Sequence, residues 1–173
     1  MHRLKSVLQN LTFNLKIIMK FTRNLFSILF VLFAYFASNS LFAQDAGDAI
    51  LGLWLPSNGK ARIQIYKKGE KIYGRIVWLR EPIDPTTSKP KVDKNNPIES
   101  MRTAPMLGYS LLRELAYIGD NKWENGTIYD PENGSTYNCK MELSDSNTLD
   151  VRGFIGVAVF GRTDTWKRLQ TTK

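Results

Sequence analysis

The sequence predicts an all-β protein, a single antiparallel up-and-down β-barrel of about eight strands. Apolar and polar residues alternate in short runs, most regularly from Ser135 to Leu143. A period of two is typical of a strand with one buried face. Turn sequences such as Ser57-Asn58-Gly59 and Lys68-Gly69-Glu70 separate the runs. Because Gly and Asn tolerate positive φ, these sequences favour the tight hairpins of an antiparallel sheet.

Each strand is expected between two turn signals. Ala61, Ile63 and Ile65 alternate with polar residues in the second strand, and Leu149 and Val151 do so in the seventh. Eight such strands closing on themselves would leave no free sheet edge. We expect strands near residues 49–55, 61–66, 71–80, 112–118, 123–129, 135–143, 148–155 and 157–169.

The first 43 residues are expected to be an export signal. Lys20 and Arg23 precede an apolar run from Leu25 to Phe36, and small residues follow up to Ala43. This order is that of a secretory signal peptide, and the run is shorter than the roughly 20 residues of a membrane span. An uncleaved membrane anchor is the alternative interpretation.

Cleavage after Ala43 would leave residues 44–173 as one domain, without a stable membrane span, in the periplasm or outside the cell. Met19 resembles a start site better than Met1 does. The removed part carries five basic and no acidic residues, so the net charge falls from +8 to +3. The high charge is mostly a targeting charge, and we expect no nucleic-acid partner.

The remaining domain contains no histidine, because the only one in the chain is His2, and its single cysteine is Cys139. Ser-His and Cys-His catalysis and His-ligated metal sites are therefore excluded. We expect no enzyme activity, no catalytic residues, no cofactor and no metal. Cys139 alternates with Tyr137 and Met141 on an apolar face, so we expect a buried, unreactive thiol.

A proline-rich segment, residues 81–111, interrupts the strands and holds five of the seven prolines. A stretch of this length without strand pattern is usually functional or disordered, and we consider it a candidate lid. Its end, from Met101 to Leu112, would hold a short helix or another strand. Asp93-Lys94-Asn95-Asn96 offers oxygen ligands, but a turn network is favoured over a calcium site. Asp130-Pro131-Glu132-Asn133-Gly134 is interpreted as a hairpin turn rather than a pair of catalytic carboxylates.

Two short motifs resemble those of lipocalin-like barrels. Gly52-Leu53-Trp54 stands at the start of the strands, and Arg168 lies in the last one. The resemblance implies that the arginine packs over the tryptophan and closes one end of the barrel, with Arg162 as the competing arginine. Trp54 and Arg168 are therefore the candidate residues of structural closure.

Longer stretches together resemble the bacterial domain-of-unknown-function 2147 family, in the family's order and over nearly all of residues 44–173. The resemblance implies an exported small β-barrel and brings no established activity and no catalytic residues. The stretches are Gly52-Leu53-Trp54, Tyr73 to Leu79, Asp93 to Pro97, Pro105 to Gly108, Ile128 to Tyr137, Leu149 to Gly153 and Gly161 to Trp166.

Three functions remain open. The first is binding of an apolar or amphipathic small molecule, or of an envelope component, with Trp54, Trp78, Tyr137 and Met141 as candidate liners because Trp and Tyr suit ligand pockets. The second is a filled barrel that serves as an interaction module for a protein or glycan. The third is an enzyme that uses carboxylates. An open interior of several hundred Å³ would favour the first over the second.

Overall fold

A computed structural model describes residues 46–170, so the expected signal segment, residues 1–43, lies outside the described residues. Eight antiparallel strands pair in chain order and the last pairs with the first, which closes the barrel. The expected fold class is confirmed. The strands are β1 (Gly52–Leu55), β2 (Ala61–Lys68), β3 (Lys71–Leu79), β4 (Ser110–Gly119), β5 (Lys122–Asp130), β6 (Ser135–Asp145), β7 (Thr148–Phe154) and β8 (Arg162–Leu169).

The first and last strands are shorter than expected. β1 begins at Gly52 and β8 at Arg162, whereas the alternation suggested residues 49 and 157. The residues before β1 cross one end of the barrel, and those before β8 form a loop that contains a short 3₁₀ helix, Ala158–Phe160. The proline-rich segment contains the other one, Glu99–Met101. Within residues 46–170, no helix has the length and apolarity needed to cross a membrane.

The connections divide the barrel into two different ends. Turns of two residues, 69–70, 120–121 and 146–147, lie at one end, which we call the closed end. The longer loops 56–60, 80–109, 131–134 and 155–161 lie at the other, which we call the open end. Loops are where binding residues concentrate, so the open end is where a site is expected.

The inward faces of the strands form one apolar core. Alternation places Ile63 and Ile65 of β2 inside, and Met141 and Leu143 of β6 do the same. Burial of such side chains stabilises the fold by about 1.5–3 kcal/mol each. The largest buried side chains are Trp54 and Trp123, so the core is most bulky near the closed end.

Candidate functional site: a cavity at the open end

The interior of the barrel is hollow next to the open end. A cavity of about 1120 Å³ opens there. Buried Ile63, Ile76 and Trp166 line its inner part, and exposed Ile155 and Phe160 line its mouth. Ligand pockets are typically about 300–1,000 Å³ and mostly apolar, so both the size and the wall suit a small molecule.

The other half of the barrel is filled and sealed. The six residues before β1, 46–51, cross the closed end as a plug. Trp54 Nε1 donates a hydrogen bond to the Ile50 carbonyl (2.9 Å), and Trp123 Nε1 donates to the Gly47 carbonyl (3.1 Å). Both indoles are fully buried, so their N–H groups need these partners. The plug leaves the open end as the route into the cavity.

Arg168 completes the seal. Its guanidinium carbon lies 4.2 Å from the centre of the Trp54 ring. The same group donates to three carbonyl oxygens, those of Ser146 (2.6 Å), Leu51 (2.7 Å) and Ala49 (2.6 Å). Burial lowers the pKa of Arg168 below its ordinary value, but an arginine stays charged at neutral pH.

The conformation of Gly52 explains why the Gly-x-Trp motif begins with glycine. Its φ of 134° lies in a region that residues with a Cβ rarely adopt. A Cβ atom there would lie 3.0 Å from Arg168 Nη1. The glycine therefore lets the arginine reach across the start of β1 to the Leu51 carbonyl.

The four candidate liners take different positions. Tyr137 lies on the cavity wall, and its hydroxyl accepts a hydrogen bond from Asn133 Nδ2 (2.9 Å). Trp54 and Met141 point inward but are packed in the filled half, outside the cavity lining. Trp78 is on the outer face, with 37% of its surface exposed and the Arg62 guanidinium 4.6 Å from its ring centre.

A β-bulge explains the position of Trp78. In the pairing of β2 with β3, Arg62 lies opposite Trp78, but the next residue, Ile63, lies opposite Ile76. Val77 is therefore the extra residue, and the inside–outside alternation shifts by one after it. Leu79 consequently lines the cavity in place of Trp78.

The long loop, residues 80–109, is attached to the barrel at the open end by a buried polar cluster. Asp93 and Asn96 are buried within it. The Tyr129 hydroxyl donates to Asp93 Oδ1 (2.8 Å), and Asn96 Nδ2 donates to Asp93 Oδ2 (2.6 Å) and to the Tyr109 hydroxyl oxygen (2.9 Å). Burial and the Asp93 carboxyl group raise the pKa of Tyr129 above its ordinary value, so its hydroxyl remains a donor.

The same turn contacts the β5–β6 hairpin. Asn95 Nδ2 donates to the carbonyl oxygens of Pro131 (3.1 Å) and Glu132 (2.9 Å). Gly134 has a φ of 71°, and a Cβ there would overlap the Asn95 carbonyl oxygen. Asp93 to Asn96 thus forms the turn network that the sequence favoured, and it holds the long loop against the barrel. No group of three or more His, Cys, Asp or Glu suited to a metal occurs among residues 46–170.

Asp164 is a polar group of the cavity wall that the sequence did not single out. It is half-buried, and its Oδ2 accepts a hydrogen bond from Trp166 Nε1 (2.8 Å). Arg162, Asp164, Trp166 and Arg168 lie at even spacing on β8, so they share its inner face. The even spacing of these four residues in the sequence was the signal that could have placed Asp164 on the inner face of the barrel.

Charges around the cavity are balanced. Lys60 and Glu132 form an ion pair between two loops (2.5 Å), and Lys91 pairs with Glu81 (3.1 Å). Five basic and five acidic side chains line the cavity, so no strong single-sign field selects a highly charged ligand. They are Lys60, Arg80, Lys91, Lys94 and Arg162, with Glu81, Asp84, Asp130, Glu132 and Asp164.

Comparison with known families gives one match. Residues 52–168 match a family described as "uncharacterized protein conserved in bacteria (DUF2147)". The matched region runs from the glycine of β1 to the arginine that closes the barrel. No curated protein matches the sequence.

Two solved structures are similar. One is described as "Protein HP1028 from the human pathogen Helicobacter pylori belongs to the lipocalin family"; the TM-score is 0.60 at 24% identity, over 70% of this chain and 83% of that one. This similarity shows a lipocalin-like fold. The other is an octameric penicillin-binding protein homologue from Pyrococcus abyssi, with a TM-score of 0.40, 10% identity, and coverage of 73% of this chain and 20% of that one.

Proposed function

We propose that the barrel binds a small apolar or amphipathic molecule in the cavity at its open end. The chain belongs to the bacterial DUF2147 family and has a lipocalin-like fold. The single observation that carries the proposal is the cavity of about 1120 Å³ with an apolar inner wall. A barrel that is filled at its closed end and hollow at its open end can hold one small ligand in the hollow half.

The wall indicates the chemistry of the ligand. Ile63, Ile76 and Leu79 offer an apolar surface, and Asp164 is a half-buried carboxylate on the same wall. Since Trp166 donates to Oδ2, the other carboxylate oxygen, Oδ1, is left to accept a hydrogen bond. We infer a ligand with an apolar body and a hydrogen-bond donor, such as a hydroxyl or an amine.

The two rival functions fit the interior less well. A filled interaction module would have side chains throughout the barrel, whereas the open half is hollow. An enzyme working with two carboxylates would place a buried pair in the cavity. Among the described residues of the lining, Asp84, Asp130 and Asp164 are half-buried and Glu81 and Glu132 are exposed, so none of the five carboxylates is fully buried.

The predicted export signal gives the proposal its cellular context. If residues 1–43 direct the chain out of the cytoplasm, the barrel meets its ligand in the bacterial envelope or outside the cell. An envelope component, or a small molecule passing through the envelope, is then the available ligand.

The proposal is tested with N-phenyl-1-naphthylamine, a fluorescent apolar molecule with one N–H donor. Ala61 lies on the inner face of β2 and lines the cavity. Ala61→Phe places a ring inside it and should weaken probe binding about tenfold or more, because the ligand loses volume and contacts. Ala49→Phe is the matched control, since Ala49 is exposed at the closed end. Equal affinity in both variants, or no binding by the wild type, would contradict a cavity site.

Asp164→Asn tests the inferred donor. The Asn amide oxygen would keep the Trp166 hydrogen bond and turn its NH₂ group towards the ligand, so the acceptor is lost. We expect weaker binding of the amine probe and unchanged binding of pyrene, which has no donor. A parallel loss for both probes would show that Asp164 shapes the cavity without recognising a donor.

A further inference from the structure

The loop between β7 and β8 exposes an unusual concentration of apolar side chains. Ile155, Val157, Val159 and Phe160 are 72%, 61%, 79% and 81% exposed. They fall within six consecutive residues, 155–160, which we call the apolar tip. Scattered exposed apolar residues are normal, but a cluster at the mouth of a cavity marks an interaction surface.

The tip is held in this exposed conformation. Arg152 Nε donates to the Ala158 carbonyl (2.8 Å), its Nη2 donates to the Val159 carbonyl (3.1 Å), and its Nη1 donates to Thr163 Oγ1 (2.8 Å). One arginine therefore connects the loop to both of its flanking strands. The backbone of the tip is therefore fixed while its apolar side chains are exposed.

Three backbone carbonyls of the tip also have hydrogen-bond donors within the protein. The Val157 carbonyl accepts from the Phe160 N–H (3.2 Å), and the Ala158 carbonyl accepts from the Gly161 N–H (3.2 Å). With the bonds from Arg152, three consecutive carbonyls at the crest of the loop have donors. Pairing these three carbonyls lowers the cost of moving the loop out of water, because an unsatisfied polar backbone group is costly in an apolar environment.

The charge of the surrounding segment has one sign. Residues 151–163, between Asp150 and Asp164, contain Arg152 and Arg162 and no acidic residue. Arg162 belongs to the balanced set of charges around the cavity, and it lies next to the exposed apolar side chains of the tip. Arginines beside an apolar insertion are attracted to the anionic lipids of a bilayer surface.

We propose that the apolar tip docks the open end of the barrel on a bilayer surface that carries anionic lipid. Val157, Val159 and Phe160 enter the boundary of headgroups and acyl chains, and Arg162 remains at headgroup level. Ile155 and Phe160 belong both to the tip and to the cavity mouth. The docked barrel thus opens towards the membrane, and an apolar ligand passes between bilayer and cavity without crossing water.

Membrane docking by the tip is independent of ligand binding in the cavity. Val157 and Val159 are the residues to change, because they belong to the tip but do not line the cavity. Val157→Ser combined with Val159→Ser removes apolar surface and leaves the carbonyls that Arg152 binds. Ile118→Ser is the matched control, since Ile118 is 51% exposed at the closed end.

The test is flotation of the purified, naturally processed protein with vesicles of phosphatidylethanolamine and phosphatidylglycerol, compared with vesicles of phosphatidylcholine. We expect binding to the anionic vesicles that salt weakens. The double serine variant should bind at least about tenfold more weakly than the wild type, and Ile118→Ser should bind like the wild type. N-phenyl-1-naphthylamine binding should be equal in all three proteins, which separates this proposal from the cavity proposal.

A cysteine label gives a second, site-resolved measurement. Because Cys139 is buried, a fluorophore attached to Val159→Cys reports on the tip, and one attached to Ile118→Cys reports on the closed end. Vesicles should shift the emission to the blue at position 159 only. Any one of four results would overturn the proposal. They are no flotation of the wild type, equal flotation of the double serine variant, equal binding to both vesicle types, and dimers that depend on the tip but form without vesicles.

Discussion

The closure of the barrel by Arg168 allows a quantitative prediction. Arg168→Met keeps the apolar stem of the side chain but removes the guanidinium. That group lies 4.2 Å from the Trp54 ring centre and donates to the carbonyls of Ser146, Leu51 and Ala49. The substitution therefore removes one cation–π contact and three charged hydrogen bonds at the point where the plug meets the barrel.

The expected loss follows from these contacts. A cation–π contact contributes about 0.5–2 kcal/mol. Hydrogen bonds from a charged donor contribute about 1.5–3 kcal/mol each when buried, but exposed carbonyls regain water when the donor leaves. Arg168 is only half-buried, so most of that sum is recovered by solvation. We expect Arg168→Met to lower the free energy of unfolding by about 2–4 kcal/mol.

A double-mutant cycle isolates the contact with the indole. Trp54→Phe, Arg168→Met and the double variant are compared by urea denaturation, and the coupling free energy should be about 0.5–1.5 kcal/mol. Arg162→Met is the control, because Arg162 is on the same face of β8 but about 20 Å further along the strand. We expect no coupling between Arg162 and Trp54. A coupling of zero for Arg168, or an equal coupling for both arginines, would refute the closure argument.

Three further predictions follow from the described contacts and the sequence. Burial raises the pKa of Cys139 from 9.0 to about 12, so alkylation should be slow in the folded state and fast in denaturant. The folded state then holds the thiol proton more tightly than the unfolded state, so stability should fall as the pH rises from about 9 towards 12. Cys139→Ser should lower the free energy of unfolding by about 1 kcal/mol or more. Equal labelling rates in the folded and unfolded states would contradict burial. Gly134→Ala should be more destabilising than Gly69→Ala, by about 1–3 kcal/mol, because both glycines have positive φ but only the first has the Asn95 carbonyl in the way; equal losses by urea denaturation would show that the loop contact is unimportant. N-terminal sequencing of the protein from the host's envelope or medium should begin at or near Gln44, and recovery of residues 1–43 on that protein would defeat the export prediction.

The architecture was predictable because it is encoded locally. Each hairpin has its own turn sequence, and alternation such as that from Ser135 to Leu143 marks one buried face per strand. Once consecutive strands pair, closure follows from the need to cover both edges. The boundaries of β1 and β8 were less accurate, because apolar residues such as Ile50 and Val157 continue the strand pattern while serving in the plug and the tip.

The candidate liners could not be selected from alternation alone. Alternation tells which face of a strand points inward, but not how far along the barrel a residue lies. Tyr137 and Met141 share a face of β6, yet they are about 13 Å apart along the strand, so one lines the cavity and the other belongs to the filled half. The bulge at Val77 was also hidden, because Val77, Trp78 and Leu79 are all apolar and any of them fits an inward position.

The polar cluster of the long loop shows a similar limit. The sequence of Asp93 to Asn96 indicates a turn, which the structure contains. Its partner Tyr129, however, is 36 residues away along the chain. Only the closed barrel brings β5 beside the long loop, so the attachment of this loop is a tertiary property that local sequence patterns do not encode.

The central claim, that the open half of the barrel holds a small molecule, is tested most directly by native mass spectrometry of the protein purified from its own host. We expect a defined mass above that of the polypeptide, which is released on denaturation and reduced or absent in Ala61→Phe. The Ala49→Phe variant should retain it. A wild-type protein that carries no additional mass and takes up no N-phenyl-1-naphthylamine would contradict the claim.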